Sequence, residues 1–584
     1  MTRIKQPPHP AILLFCLILF HLISNYFWLS INEMGPVSDE KNYFNKSIRL
    51  YRILADPDIN LFPRIFTSPP AFRPPLFPLC LVPSYPVAGL SYRSAASVIT
   101  LFLALMIVFT YKIGKLLYSA ATGLLAAFII SFFPFTLKYS RLLFSEMALT
   151  AALSIAIWFL LKSRSFRERK YSIGLGVAIG AGMLIKQSFI FFMALPFLFE
   201  GIKGLFFPHE RRPDLSGKAS SIPFLAQRPG AKTNGINFIF SILISAALSV
   251  PYYVICFHDI KAMRIMNKLQ GSTIPLKEAF TIKHLFWAGS ALWNLTGALF
   301  FVFFLVGLAV SLKRKYRKAT LLLWLAGGGG FTFLLLQNRT RYLFPLLPVC
   351  ALLISFWLVK IRNLLVKWIL LVLLFINSLL TYAWMTWGFS PFNLYSQPLS
   401  VRLPETDYRL DLIPRPRPPE KIGDWKINAI IDEIAGDSAG KSCNFLVVPF
   451  LDHFTHEYFQ SRILIEGLPI EISVPDWRFF GLNYWALFHA DYILTKTGRL
   501  RLEWATPDFR KEFSRFLCDP PPAWKRSHRL LKIFTLPDGS RAELYKRVLP
   551  LSLEERRQIL QETIKIDPDN RRARRELREL NRKN

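Results

Sequence analysis

The sequence predicts a polytopic α-helical membrane protein of about eleven spans, with a small extracytoplasmic α/β domain and a helical C-terminal tail. Three observations predict it. Hydrophobic residues make up 52% of the chain and gather in runs near the ~20 residues that a bilayer demands of a helix. Lys and Arg concentrate in alternate loops between those runs, the pattern that orients spans with their basic loops inside. Beyond residue 390 the long apolar runs stop, and short alternating segments take over. A formal net charge of +33 would suit a nucleic-acid partner in a soluble chain. Here topology accounts for much of that charge. No zinc-finger spacing or RNP-like motif occurs, so no nucleic acid is expected.

The first apolar run, Ala11–Ile31, follows Arg3 and Lys5 and has no small-x-small cleavage site, which predicts a retained span. Ser38-Asp39-Glu40 then open a helical pattern over Asp39–Ala55. Phe44, Ile48, Tyr51 and Ala55 recur at helical spacing, with Lys41, Lys46, Arg49 and Arg52 between them. That pattern predicts an amphipathic helix lying on the membrane surface. Ser38 or Asp39 can cap it, and Glu40 can offset its dipole. Phe62–Pro86 is dense in proline and aromatics, so it reads as a loop with a short interfacial or re-entrant piece. External loop 1 thus runs over 32–93.

Ten further spans follow, at roughly 94–117, 119–137, 144–162, 171–186, 188–206, 236–256, 288–312, 319–337, 343–359 and 365–387. With the N-terminus inside, the cytoplasmic loops hold Lys112 and Lys115, the cluster 162–170, the loop 207–235, the cluster 313–318, and Lys360, Arg362 and Lys367. A twelfth span within 76–90 would move the two densest clusters outside. Gly327–Gly330 lies inside an apolar run with no following Lys-Ser/Thr, which predicts close helix packing rather than a phosphate loop.

The membrane domain therefore covers 1–390, and a proline-rich basic linker covers 391–423. Residues 424–550 form the α/β domain, with a helix at Ile427–Ile434, strands at Phe445–Pro449 and Asp491–Thr495, and an edge strand at Arg541–Arg547. The tail, 551–584, is charged and helical. Its Ile564–Asn570 piece resembles the turn between two tetratricopeptide helices, and one such turn builds no solenoid. Cys443 and Cys518 can pair if this part faces an oxidising compartment, whereas Cys16, Cys80, Cys256 and Cys350 read as packing residues.

This topology collects the ionisable residues that interrupt apolar stretches on the external side. They are Asp39-Glu40, Tyr139-Ser140-Arg141 with Glu146 beyond, Lys186-Gln187, and Asn338-Arg339-Thr340-Arg341-Tyr342. Such residues are costly at membrane depth and are candidates for function. Carboxylates suit deprotonation of a hydroxyl or metal binding, and clustered Arg and Lys suit an anionic leaving group. Arginine meets phosphate oxygens with two parallel donors, and a tyrosine hydroxyl can add another.

The layout resembles the integral-membrane glycosyltransferases of the GT-C superfamily, and most the branch of dolichyl-phosphate-mannose protein mannosyltransferases and lipid A aminoarabinose transferases. Ser38-Asp39-Glu40, the Arg73-Pro74-Pro75-Leu76-Phe77-Pro78 run, Tyr139-Ser140-Arg141 with Glu146, Gly182–Gln187, and Arg341-Tyr342-Leu343 with Pro345 and Pro348 carry the resemblance, over roughly residues 10–390. It implies a GT-C-like fold and an inverting sugar transfer from a polyprenyl-phosphate donor to an acceptor hydroxyl, on the extracytoplasmic face of the plasma (inner) membrane. Asp39 is then the general base. Glu40 points about 100° away on a helix and is expected to orient a neighbour or a metal. Arg141, Lys186, Arg339, Arg341 and Tyr342 are the expected donor-phosphate ligands. Glu40 and Glu146 are the candidate ligands of a divalent metal; the family often has Asp at the latter position. Expected partners are membrane lipid, the lipid-linked sugar, and a protein or glycolipid acceptor. The alternative class is a transporter or flippase of lipid-linked glycans, but such proteins show internal repeats and mid-span ionisable residues, neither of which is evident here.

Overall fold

A computed structural model describes residues 10–36, 39–56, 61–206, 231–269, 281–313, 318–335, 339–390, 399–402, 409–449, 451, 453–473, 488–498, 526–566 and 571–582. Ser38, Cys518, most of the 207–235 loop and the 567–570 turn lie outside them. The chain divides into two units. One comprises Met1–Ile31 and Leu50–Pro419, the other Asn32–Arg49 and Glu420–Asn584.

The first unit is helical. Helix α1 is Pro10–Ile31, and α2, Asp39–Ala55, is shared between the units. The proline-rich stretch holds three short helices, α3 (Leu61–Thr67), α4 (Leu76–Leu81) and α5 (Tyr85–Ala88). Its loops are tied down from elsewhere in the unit, since the Tyr252 hydroxyl donates to Ala71 O and Gln187 Nε2 to Phe72 O. Then come α6 (Tyr92–Leu117), α7 (Ala120–Phe132), α8 (Pro134–Tyr139), α9 (Ser145–Lys162), α10 (Arg169–Ile185), α11 (Phe189–Phe206), α12 (Ala231–Ile255) and α13 (Phe257–Leu269). Helices α14 (Ile282–Thr296), α15 (Ala298–Leu312), α16 (Ala319–Leu335), α17 (Leu347–Lys360) and α18 (Leu364–Trp387) complete the set.

Every predicted span falls on a helix. Among the described residues, seven stretches are long and apolar enough to cross a membrane unaided: α1, α6, α9, α11, α12, the continuous Thr340–Lys360, and α18. The other four depart from the straight spans expected. The 119–137 segment breaks between α7 and α8 because Pro134 starts a new helix there. The 171–186 segment is the 17-residue α10, and α16 is likewise short. The 288–312 segment is a bent pair, 118° between its arms, joined at Gly297 with φ +84°. The glycine run in α16 packs closely at Gly327, where a Cβ would stand 2.6 Å from Phe191 O.

Part of the predicted linker is ordered against the helices. Strands β1 (Leu399–Arg402) and β2 (Arg409–Ile413) form an antiparallel hairpin. Three indoles donate to carbonyls of β2 and the arm after it: Trp293 to Asp411, Trp384 to Pro414 and Trp28 to Arg417.

In the second unit, α19 (Ile427–Asp437), β3 (Cys443–Val447), α20 (His456–Glu466), β4 (Ile470–Ser473), β5 (Tyr492–Lys496), β6 (His528–Thr535) and β7 (Arg541–Arg547) form an α/β fold. The sheet order is β4-β3-β5-β7-β6, with β3 parallel to both neighbours and β7 antiparallel to β5 and β6. Strand β7 is therefore interior, not the predicted edge. Strand β6, with exposed Arg529 and Leu530 in an irregular pattern, takes the edge. Ile430, Ile434, Phe445, Phe459, Leu494 and Leu544 pack its core, which also encloses Cys443. Helices α21 (Leu553–Ile566) and α22 (Arg571–Arg582) form the tail, with Ile559, Leu560 and Ala573 buried.

The structure corrects the surface-helix expectation for α2. Helix Asp39–Ala55 forms as predicted, but Lys41 and Lys46 are buried rather than turned outward. Lys41 finds its partners inside the α/β unit, where its Nζ donates to Thr455 Oγ1 at 2.9 Å and meets Glu457 Oε2 at 3.4 Å.

Candidate active site

Glu146 lies in the first turn of α9, where the helix dipole favours a carboxylate. Its side chain is 2% exposed, and its Oε1 stands 2.9 Å from Lys186 Nζ and 3.3 Å from Arg341 Nε. Lys186 is the residue that ends α10, and Arg341 stands in the helical turn Thr340–Leu346 before α17. Phe144 and Tyr342 lie 4.9 and 5.7 Å from the Arg341 guanidinium, and the Tyr342 ring is 5.3 Å from Lys186 Nζ. Three stretches distant in sequence thus meet at one carboxylate. Both cationic groups face the same carboxylate oxygen in a partly buried place, where charge acts strongly. Arg339, exposed, immediately precedes the same turn. Of the predicted phosphate ligands, the structure joins Lys186, Arg341 and Tyr342 around Glu146.

Arg141 does not join them. It is 1% exposed, between α8 and α9, and is held by α1 and α18. Its Nε donates to Asn25 Oδ1 at 2.7 Å and its Nη2 to Thr386 Oγ1 at 2.9 Å, with the Trp28 ring 5.5 Å away. Asn25 Nδ2 in turn donates to Thr100 Oγ1 and Ser140 O. Dipoles and a π face, rather than a carboxylate, meet this guanidinium. Asn25 and Thr386 were not visible as site residues from their own segments. A signal did exist, because His21, Ser24, Asn25 and Trp28 form a buried stripe at i, i+3, i+4 and i+7 along an apolar span.

Asp39 and Glu40 begin α2 within the other unit, Asp39 half-buried and Glu40 fully buried. As a metal ligand Glu146 fits poorly, since its Oε1 already faces two cationic groups. Among the described residues no group of three or more His, Cys, Asp or Glu could hold a metal ion.

Residues 72–219, which include Arg141, Glu146 and Lys186, match the family described as dolichyl-phosphate-mannose-protein mannosyltransferase. No curated protein matches the sequence. Among solved structures, ArnT from Cupriavidus metallidurans bound to undecaprenyl phosphate is similar with a TM-score of 0.54 at 12% identity, covering 92% of this chain and 98% of that one. The archaeal oligosaccharyltransferase AglB from Archaeoglobus fulgidus, in complex with an inhibitory peptide and a dolichol-phosphate, gives a TM-score of 0.45 at 13% identity, over 91% of this chain and 74% of that one. Over nearly its whole length the chain is thus similar in fold to ArnT, a protein bound to undecaprenyl phosphate in that structure. Its segment 72–219 is similar to the dolichyl-phosphate-mannose-protein mannosyltransferases.

Proposed function

We propose that the chain transfers a sugar from a polyprenyl-phosphate donor to an acceptor hydroxyl on the extracytoplasmic face of the inner membrane, with inversion at the anomeric carbon. The observation that carries the reading is the convergence of Lys186, Arg341 and Tyr342 at Glu146, which gathers two phosphate-binding side-chain types and a tyrosine in the helical unit. A polyprenyl-phosphate donor is supported by ArnT, a protein of similar fold that binds undecaprenyl phosphate. In the proposed step Asp39 accepts the hydroxyl proton, and the acceptor oxygen attacks the anomeric carbon from the side opposite the phosphate. The bond from carbon to phosphate oxygen then breaks, and polyprenyl phosphate leaves. Arg341 and Lys186 meet the charge that develops on the leaving phosphate. Arg339 stands ready to extend that cluster, and Arg141 holds the α8–α9 turn in place through Asn25 and Thr386. Asp39 enters through the sequence resemblance and its place at the start of α2.

Donor binding and transfer by the purified protein and its Arg341→Ala variant test this. Losing one charge-assisted contact should weaken donor affinity by about 10–150-fold, on the order of 1.5–3 kcal/mol. Arg341→Lys should recover only part, because it keeps the charge and loses the fork. Wild-type donor affinity in a folded Arg341→Ala protein would reduce Arg341 to an interfacial anchor. Lipid-linked sugar moved across vesicles without any transfer product would favour the transporter instead.

A further inference from the structure

The start of α2 folds as part of the α/β unit, and the contacts that put it there are specific. Residues 32–49 are joined to it by one backbone bond, Glu33 N donating to Glu420 O, and one to a side chain, Glu420 N donating to Asn32 Oδ1. Within α2, Lys41 and Asn45 are one turn apart on a single face. Within α20, Glu457 and Ser461 are also one turn apart. The two faces meet in register: Lys41 Nζ contacts Thr455 Oγ1 and Glu457 Oε2, and Ser461 Oγ donates to Asn45 Oδ1 at 2.7 Å. Lys41 is 4% exposed and Asn45 is buried, so water offers these groups little substitute. The Tyr458 ring lies 5.2 Å from the same ammonium. Thr455 precedes the first residue of α20, and α20 follows the chain out of β3, which has a parallel partner on each side. The polar anchors of α2 are therefore mounted on a central joint of the sheet.

We propose that Glu457, with Thr455, is a positioning residue for sugar transfer: through Lys41 it sets the place and rotation of the helical turn that carries Asp39. The inference rests on the reading of Asp39 as general base. It gives the C-terminal domain a part in the reaction, as the frame that orients a side chain borne by the first external loop. Lys41 is two residues from Asp39 on one helix, so tilt or rotation of that turn displaces both. A displacement of about 1 Å at a reacting group can cost on the order of 100-fold in rate.

The test compares the full-length Glu457→Gln and Lys41→Met/Glu457→Met variants with Asp39→Asn. The double variant removes both buried charges together, which leaves neither one unpaired and keeps the fold. The expected result for the double variant is a wild-type thermal midpoint and a donor KM within about twofold. Its kcat should be at least about tenfold lower, and amides 39–45 should exchange with solvent at least about tenfold faster, with those of β3 and β5 unchanged. Glu457→Gln should show the same direction. A double variant with wild-type kcat and wild-type exchange at 39–45 overturns the inference, whatever Asp39→Asn does. Faster exchange at 39–45 with normal turnover in Asp39→Asn has a different meaning. It keeps the brace, removes Asp39 as the group it serves, and so overturns the general-base reading together with the role proposed for Glu457.

Discussion

Glu146 holds Lys186 and Arg341 on one carboxylate oxygen, so its removal tests whether the cluster is organised or merely charged. If charge alone mattered, Glu146→Gln would bind the donor phosphate more tightly. If the carboxylate fixes the two cations, the variant loses that geometry and takes a shared anion away from two partly buried charges. A stability loss of about 3 kcal/mol and weaker donor binding are expected, measured by thermal unfolding and donor titration; tighter binding at an unchanged midpoint would refute the organising role. Asp39 is tested differently. Asn keeps its size and caps a helix about as well as Asp, so Asp39→Asn should fold and bind donor yet turn over at least about 100-fold more slowly. If Asp39 only caps α2, the pattern reverses: Asp39→Asn is nearly silent and Asp39→Ala loses about 1 kcal/mol of local stability. Parallel transfer and stability assays separate the two. The residue types of this cluster were legible in the sequence. That Arg141 would turn to Asn25 and Thr386 instead was not, because nothing local to Arg141 names a partner more than a hundred residues away.

Among the elements, α2 shows what periodicity can and cannot say. Its limits, Asp39–Ala55, follow from its helical pattern, but its basic residues suggested a membrane surface, whereas Lys41 enters the α/β unit and Lys46 is buried. The anchor there is pH-dependent. Burial alone would raise the Glu457 carboxyl, but the charges of His456 and Lys41 and the Thr455 hydroxyl outweigh it and hold the group below its ordinary value of 4.5. A carboxyl depressed in the folded state contributes stability above the unfolded value, and loses it as pH falls through the folded one. Exchange at amides 39–45, after correction for intrinsic rates, should therefore not rise from pH 7 to 5, where His456 gains the charge that faces Glu457, and should rise below pH 4.5 in the wild type but not in Glu457→Gln. A rise of equal size in both would place the titration elsewhere. Breaks were harder to read than helices. Gly297 sits in an apolar run like any small residue, and only its positive φ turns one expected span into two arms at 118°. Likewise β6 went unread, because an edge strand half open to water lacks strict alternation, and β7 was then assigned the edge.

For the whole molecule, the loop charges predict that Ser216 faces the cytoplasm and Ser396 the outside. Single cysteines at these positions in a cysteine-free background should react oppositely with an impermeant thiol reagent in intact cells. Labelling of Ser216 from outside, or protection of Ser396 that ends on permeabilisation, would invert the topology and move the proposed site to the other face. The sequence by itself determined the polytopic helical class, the segments that form the long apolar helices, and the change to an α/β unit near the C-terminus. These follow from local rules, since a bilayer requires about 20 apolar residues per span and a sheet requires alternation. Only the tertiary structure decided which candidate residues stand together. It brought Lys186 and Arg341 to Glu146, sent Arg141 to α1 and α18, and assigned the start of α2 to the α/β unit. The physical reason is that buried charges must find partners wherever packing delivers them, and neither the length of a run nor its period records which distant residue that will be.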